Sequence, residues 1–121
     1  MTASTAVAQR PAASAPRTIR TIDLPQRFDV HEVAEFHSAI DRAVAPGTDV
    51  VVDASQVRYL DRSGMDALIQ ARLRCIDHGG DLTLAGPSVA ARVILELSGH
   101  YEALNPADAV SGRRPTAVRA A

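Results

Sequence analysis

The sequence predicts an α/β fold, with a central mixed or parallel β-sheet packed by amphipathic helices. Three observations carry the prediction. Stretches with apolar residues at helical spacing alternate along the chain with short strand-like runs. Each helical stretch is closed by Gly or Pro-Gly. One strand-like run, Val50-Val51-Val52, is continuously apolar, the form a strand takes when a parallel sheet buries both its faces.

The elements follow in order. Thr18 to Leu24 is the first clear strand. Val33, Phe36, Ile40, Ala43 and Val44 then recur at helical spacing, with Glu32, Glu35, Asp41 and Arg42 on the opposite side. That helix stops near Ala45, because Pro46-Gly47 follows. The Val50–Val52 strand comes next, between Asp49 and Asp53. A second helix carries the stripe Met65, Leu68, Ile69, Leu73 and Ile76, with Asp66, Gln70, Arg74 and Asp77 on its polar side, and Gly79-Gly80 ends it. Leu82 and Leu84 alternate with Thr83 and Ala85 as a strand. Gly86-Pro87-Ser88 is a turn with an N-cap. It leads into a third helix carrying Val89, Val93, Ile94 and Leu97, which ends at Gly99. In such a β-α repeat, ligands and partners meet the loops at the carboxyl ends of the strands.

Composition bounds the rest. The chain has 121 residues, room for one domain. The folding unit is read as 17–106. The segments 1–16 and 107–121, rich in Ala, Pro and small polar residues, read as flexible tails. Thirteen basic residues, all Arg, oppose fourteen acidic ones, for a net charge of −1. That balance argues against direct nucleic-acid binding, and Phe28, Phe36, Tyr59 and Tyr101 are too few and too scattered for a base-stacking platform. Cys75 is alone, which excludes a disulfide framework and a Cys-based zinc site. His31, His37, His78 and His100 fit no metal-ligand spacing. No run approaches the ~20 apolar residues that membrane insertion needs, and Met1–Pro16 lacks the apolar core of a signal peptide. No catalytic constellation is present: no phosphate-binding Gly loop, no nucleophile elbow, no HExxH. The expectation is a cytoplasmic, non-enzymatic protein without cofactor or metal.

One loop carries the functional signal: Val57-Arg58-Tyr59-Leu60-Asp61-Arg62-Ser63-Gly64-Met65, between the 50–53 strand and the second helix. Asp61 or Ser63 can cap that helix, and Ser63-x-x-Asp66 has the form of a capping box with Asp in place of Glu. The free N–H groups of the helix start favour an anion, and Gly64 lets another backbone approach closely.

The run DVVVDASQVRYLDRSGMDAL, the Gly-Gly turn, and LTLAGPSVAARVILELSG resemble a STAS domain, and most closely the bacterial anti-sigma factor antagonists. The resemblance extends from Gln26-Arg27-Phe28-Asp29 to Gly99. It implies a STAS fold and a regulatory binding role. Such proteins bind an anti-sigma factor that is also a serine kinase and thereby release a sigma factor. The kinase phosphorylates a Ser or Thr in the loop before the second helix, and a phosphatase resets the switch. The partner-binding residues so implied are Asp29, Leu60, Asp61, Arg62, Ser63, Gly64 and Met65, with Ser63 as the phosphorylation candidate. Arg62 departs from the pattern, because it occupies the column where the family usually places its phosphoacceptor. Three readings follow. Ser63 accepts the phosphate one position later; the protein binds without a phospho-switch; or Arg62 supplies a fixed positive charge that selects an acidic partner surface. Asp29 reads either as part of the docking loop or as helix-start chemistry ahead of Val30-His31-Glu32. Alternative roles are an accessory STAS subunit of a membrane transport ATPase complex, and a non-phosphorylated STAS sensor or adaptor.

Overall fold

The computed structural model describes residues 17–107. The 1–16 tail and, of the 107–121 tail, residues 108–121 lie outside these residues. Among the described residues six strands and three α-helices follow in order: β1 (Thr18–Asp23), β2 (Arg27–Phe28), α1 (Val33–Ala43), β3 (Thr48–Asp53), β4 (Tyr59–Leu60), α2 (Arg62–Asp77), β5 (Leu82–Ala85), α3 (Val89–Ser98) and β6 (Pro106–Ala107), with a 3₁₀ turn at Glu102–Leu104 before β6. Strands β1, β3, β5 and β6 form one sheet in the spatial order β1–β3–β5–β6, and every adjacent pair is parallel. Strands β2 and β4 pair in a separate parallel two-stranded sheet.

The α/β prediction is thus met, with the long sheet wholly parallel among the described residues. The core lies between this sheet and the helices. Val50, Val52, Leu82 and Leu84 point into it and pack with Ile40, Leu68 and Leu95, all fully buried. Strand β3 does not bury both faces as its Val run suggested. Burial alternates, so Thr48, Val50 and Val52 are buried while Asp49, Val51 and Asp53 are half-buried on the other face. The helices pack against one side only of this strand's alternation.

Two helical stripes are also corrected. In α2 the buried residues are Gly64, Met65, Ala67, Leu68, Ala71 and Cys75, whereas Leu73 and Ile76 are exposed. In α3 the buried residues are Ala91 and Leu95, Ile94 is partly buried, and Val89, Val93 and Leu97 face solvent. The physical reason is shared. Small side chains at the helix–sheet contact let the helix axis come close, so Ala67, Ala71 and Ala91 occupy the core and the larger residues are turned outward. The first stripe is as predicted: Phe36, Ile40 and Ala43 are buried, with Val33 and Val44 packed at the margin.

The Gly79-Gly80 turn works by two different means. Gly79 adopts φ +84°, and a Cβ on Gly80 would stand 1.9 Å from the Thr48 carbonyl oxygen. The chain therefore passes over the start of β3 with no room for a side chain. The same amino end of the sheet is tied by charge. Arg17 donates to both oxygens of Asp49 at 2.8 Å, Asp81 N–H donates to Asp49 at 3.0 Å, and Arg72 donates to Asp81 at 2.9 Å and to the Ala103 carbonyl at 3.1 Å. Asn105 Nδ2 donates to Thr83 Oγ1 at 3.0 Å and so holds β6 in the sheet. Ala107, the last residue of β6, pairs with Ala85.

Candidate functional site: the β4–α2 loop

The two-stranded sheet builds the site. Its register sets Arg27 beside Tyr59 and Phe28 beside Leu60, and Phe28 and Leu60 are both buried. The next residue on each strand is an aspartate, so Asp29 and Asp61 emerge together. Two-residue strands leave no periodicity to read, so this pairing carries no sequence signal.

Asp61 is the N-cap of α2: its Oδ1 accepts from Gly64 N–H at 2.9 Å, and its carbonyl accepts from Met65 N–H at 3.0 Å. The capping box on Ser63 is not formed, because Ser63 already lies inside the first turn. The second carboxylate oxygen of Asp61 accepts from Val30 N–H at 3.2 Å. One side chain thus satisfies an orphan donor of the helix and pins the neighbouring turn, fixing the two loops to each other. Asp29 completes that turn from below the surface. It is buried, accepts from Arg27 Nε at 2.9 Å and from His31 N–H at 3.0 Å, and its carbonyl receives Glu32 N–H at 2.9 Å. Asp29 thus organises the approach to α1 and lies next to Val30, which is held by Asp61.

Gly64 is where α2 meets the small sheet. A Cβ there would stand 2.6 Å from the Phe28 carbonyl oxygen and 2.9 Å from Leu60 Cδ1 and Phe28 Cδ2. Only glycine lets the helix start so close to β2. Met65 packs beneath, with Ser98 Oγ of α3 3.3 Å from its sulfur. Four of the seven predicted partner-binding residues, Asp29, Leu60, Gly64 and Met65, are therefore buried. They shape the loop and offer a partner almost no surface.

The accessible part is Asp61, Arg62 and Ser63. The Arg62 side chain is 84% exposed, with its Nε 4.0 Å from Asp66 one turn on. Ser63 is half-buried, and among the described residues nothing hydrogen-bonds to its hydroxyl. Beside them lie two exposed residues that the sequence reading did not select: Val30, whose N–H is held by Asp61, and Tyr59, whose ring lies 4.5 Å from the Arg27 guanidinium. An apolar residue after a turn Asp, and a Tyr between Arg58 and Leu60, were their only signals. Chemically the loop presents a hydroxyl, an exposed cation and a small apolar margin on a hydrogen-bonded base. Among the described residues no group of three or more His, Cys, Asp or Glu could hold a metal ion, and no helix is long and apolar enough to cross a membrane.

The comparisons with known proteins agree with this geometry. The family described as "Mlab, STAS domain" matches residues 13–104. No curated protein matches the chain. Among solved structures, the crystal structure of a sulfate transporter family protein from Wolinella succinogenes superposes with a TM-score of 0.67 at 21% identity, covering 78% of this chain and 80% of that one. That likeness is one of fold. The parallel sheet, the loop ahead of α2 and the family match together place the chain in the STAS domain family.

Proposed function

We propose that this STAS domain is an anti-sigma factor antagonist. It docks on an anti-sigma factor of the serine-kinase type through Asp61, Arg62 and Ser63 of the β4–α2 loop, releases the bound sigma factor, and is switched by phosphorylation of Ser63, with a phosphatase reversing the mark. The chain itself acts as a binding partner and not as an enzyme. The observation that carries the reading is the Ser63 hydroxyl: half-buried, without a hydrogen bond among the described residues, and held in the first turn of α2 by the two-way Asp61 clamp. A kinase needs a hydroxyl it can reach on a backbone it can recognise. A phosphate there adds roughly −1.5 to −2 charge to a docking surface. Arg62, in the neighbouring position, gives that surface its cation, suited to an acidic partner before phosphorylation and to the phosphate after it.

The test uses the full chain, MgATP and each serine-kinase anti-sigma factor encoded in the same genome. Binding and a mass gain of one phosphate are expected with one of them, and the gain is lost in Ser63→Ala. Binding without any mass gain keeps the antagonist role and removes the switch. Absence of binding to every such kinase, with recovery of a transport ATPase instead, replaces the proposal with the accessory-subunit reading.

A further inference from the structure

Helix α3 carries an apolar ridge on its solvent side. Val89, Val93 and Leu97 stand at i, i+4 and i+8, and are 81%, 46% and 84% exposed. Ala91 and Leu95 face the core, so the helix is apolar on both its inner and outer sides. Its only charged residues, Arg92 and Glu96, run along one flank of the ridge and pair with each other at 3.1 Å, while Arg92 also lies 5.3 Å from the Tyr101 ring. Ala90 and Ile94 form the other flank. Nothing in the docking loop requires this outer face to be apolar.

We propose that the ridge is a two-fold contact with a second copy of this chain, α3 packing antiparallel against α3. The ridge can meet itself in either sense, but only the antiparallel arrangement also sets the charged flank against a charged flank; a parallel pair sets it against Ala90 and Ile94. A two-fold axis beside Val93 sets Val93 against Val93 of the second copy, and Val89 against Leu97 of the second copy at each end. The axis keeps the charged flanks on the same side and reverses their direction. Arg92 of each chain then lies near Glu96 of the other. Side chains tilt toward their own helix N-terminus, which draws Arg92 and the opposing Glu96 together and moves the two arginines apart. A partner of one charge sign would call for a flank of the opposite sign. A flank with one cation and one anion, a turn apart, suits an antiparallel copy. Three ridge side chains per chain bury far less than the ~800 Å² per partner of a standard stable interface, so the dimer is weak and concentration-dependent.

Analytical ultracentrifugation of the full chain tests this between about 10 μM and 1 mM. The average mass is expected to climb from the 12.8 kDa of one chain toward twice that value. Val93→Asp and Leu97→Asp are expected to stay monomeric throughout, with unchanged circular dichroism because both side chains already face solvent. Arg92→Glu weakens association, and Arg92→Glu with Glu96→Arg restores it. Under mild oxidation Val93→Cys forms a disulfide-linked dimer much faster than Leu73→Cys, an exposed control on α2. A mass that stays at one chain across the range overturns the proposal and leaves the ridge to a different protein. A dimer that survives both Asp substitutions, or one cross-linked equally well through Leu73→Cys, overturns it as well.

Discussion

Gly64→Ala sets two opposing effects against each other at the base of the docking loop. Helix propensity alone favours the change, since Gly is up to ~1 kcal/mol worse than Ala in a helix interior and Gly64 is the third residue of α2. Against this stand the three contacts of the added methyl: 2.6 Å to the Phe28 carbonyl oxygen, and 2.9 Å to Leu60 Cδ1 and Phe28 Cδ2. Comfortable separations are about 3.3 Å or more for C···O and 3.5 Å or more for C···C, so all three overlap by about 0.6 Å or more. The nearest atom belongs to the backbone of β2, and Phe28 and Leu60 are buried, so no exposed side chain can swing aside. Overpacking of a dense site costs about 1–3 kcal/mol, which exceeds the propensity gain, because the gain shrinks at a helix end. The variant should be less stable by about 1–2 kcal/mol. With a urea slope of ~1 kcal/mol/M for a domain this small, the unfolding midpoint falls by about 1–2 M. Amide shifts should spread from Phe28 to Met65 and leave β5 and β6 unmoved. An unchanged or raised midpoint would refute the close-approach argument and show that the helix start yields freely.

Three further outcomes follow from the same structure. Asp61→Ala removes the N-cap and the bond to Val30 together, so it should cost about 2 kcal/mol in urea unfolding, and Asp61→Ser should recover only the cap share; equal losses in the two variants would show that the link to the Val30 turn contributes nothing. Leu68→Ala should cost about 2–5 kcal/mol while Leu73→Ala stays within about 0.5, because Leu68 is 1% and Leu73 57% exposed; similar midpoints would contradict the helix rotation. Arg17 and Arg72 hold the Asp49 and Asp81 carboxyls below the ordinary carboxylate value through direct hydrogen bonds. A carboxyl whose pKa is lower in the folded than in the unfolded chain stabilises fully above its unfolded value and loses that contribution as pH falls through its folded one. Stability should therefore decline below about pH 4, and Asp49→Asn should flatten that decline; an acid limb identical to wild type would remove Asp49 from it.

The fold was legible wherever burial imposed a period. Strand β1, the α1 stripe, the Ser88 cap and the glycine stops all stand where spacing and turn chemistry put them. Misreadings arose where large apolar residues and the core parted company. Period 3.6 identifies a face but not which of two apolar faces is buried, and in α2 and α3 the alanines won the contact while Leu73, Val89, Val93 and Leu97 turned outward. The site was half legible. The capping Asp61 and the close-approach Gly64 were readable as types, whereas the β2–β4 pairing that brings Asp29 and Val30 to Asp61 rests on contacts thirty residues apart and left no local pattern.

That pairing also decides how a phosphate on Ser63 would act. Within the first turn of α2 the helix end favours an anion by about 0.3–1 kcal/mol, and Arg62 adds a neighbouring cation. Asp61 and Asp66 oppose it by like charge, in an exposed setting where such terms are comparably small. The contributions nearly cancel inside the chain. Asp61 keeps both its N–H donors, so the loop stays clamped and only the surface charge changes. Ser63→Glu should therefore shift unfolding free energy by less than about 1 kcal/mol while abolishing capture of the kinase-type anti-sigma factor. Loss of binding accompanied by a fall of several kcal/mol would mean that the charge works by undoing the loop and not by repelling a partner. That result would move the switch from the interface into the fold.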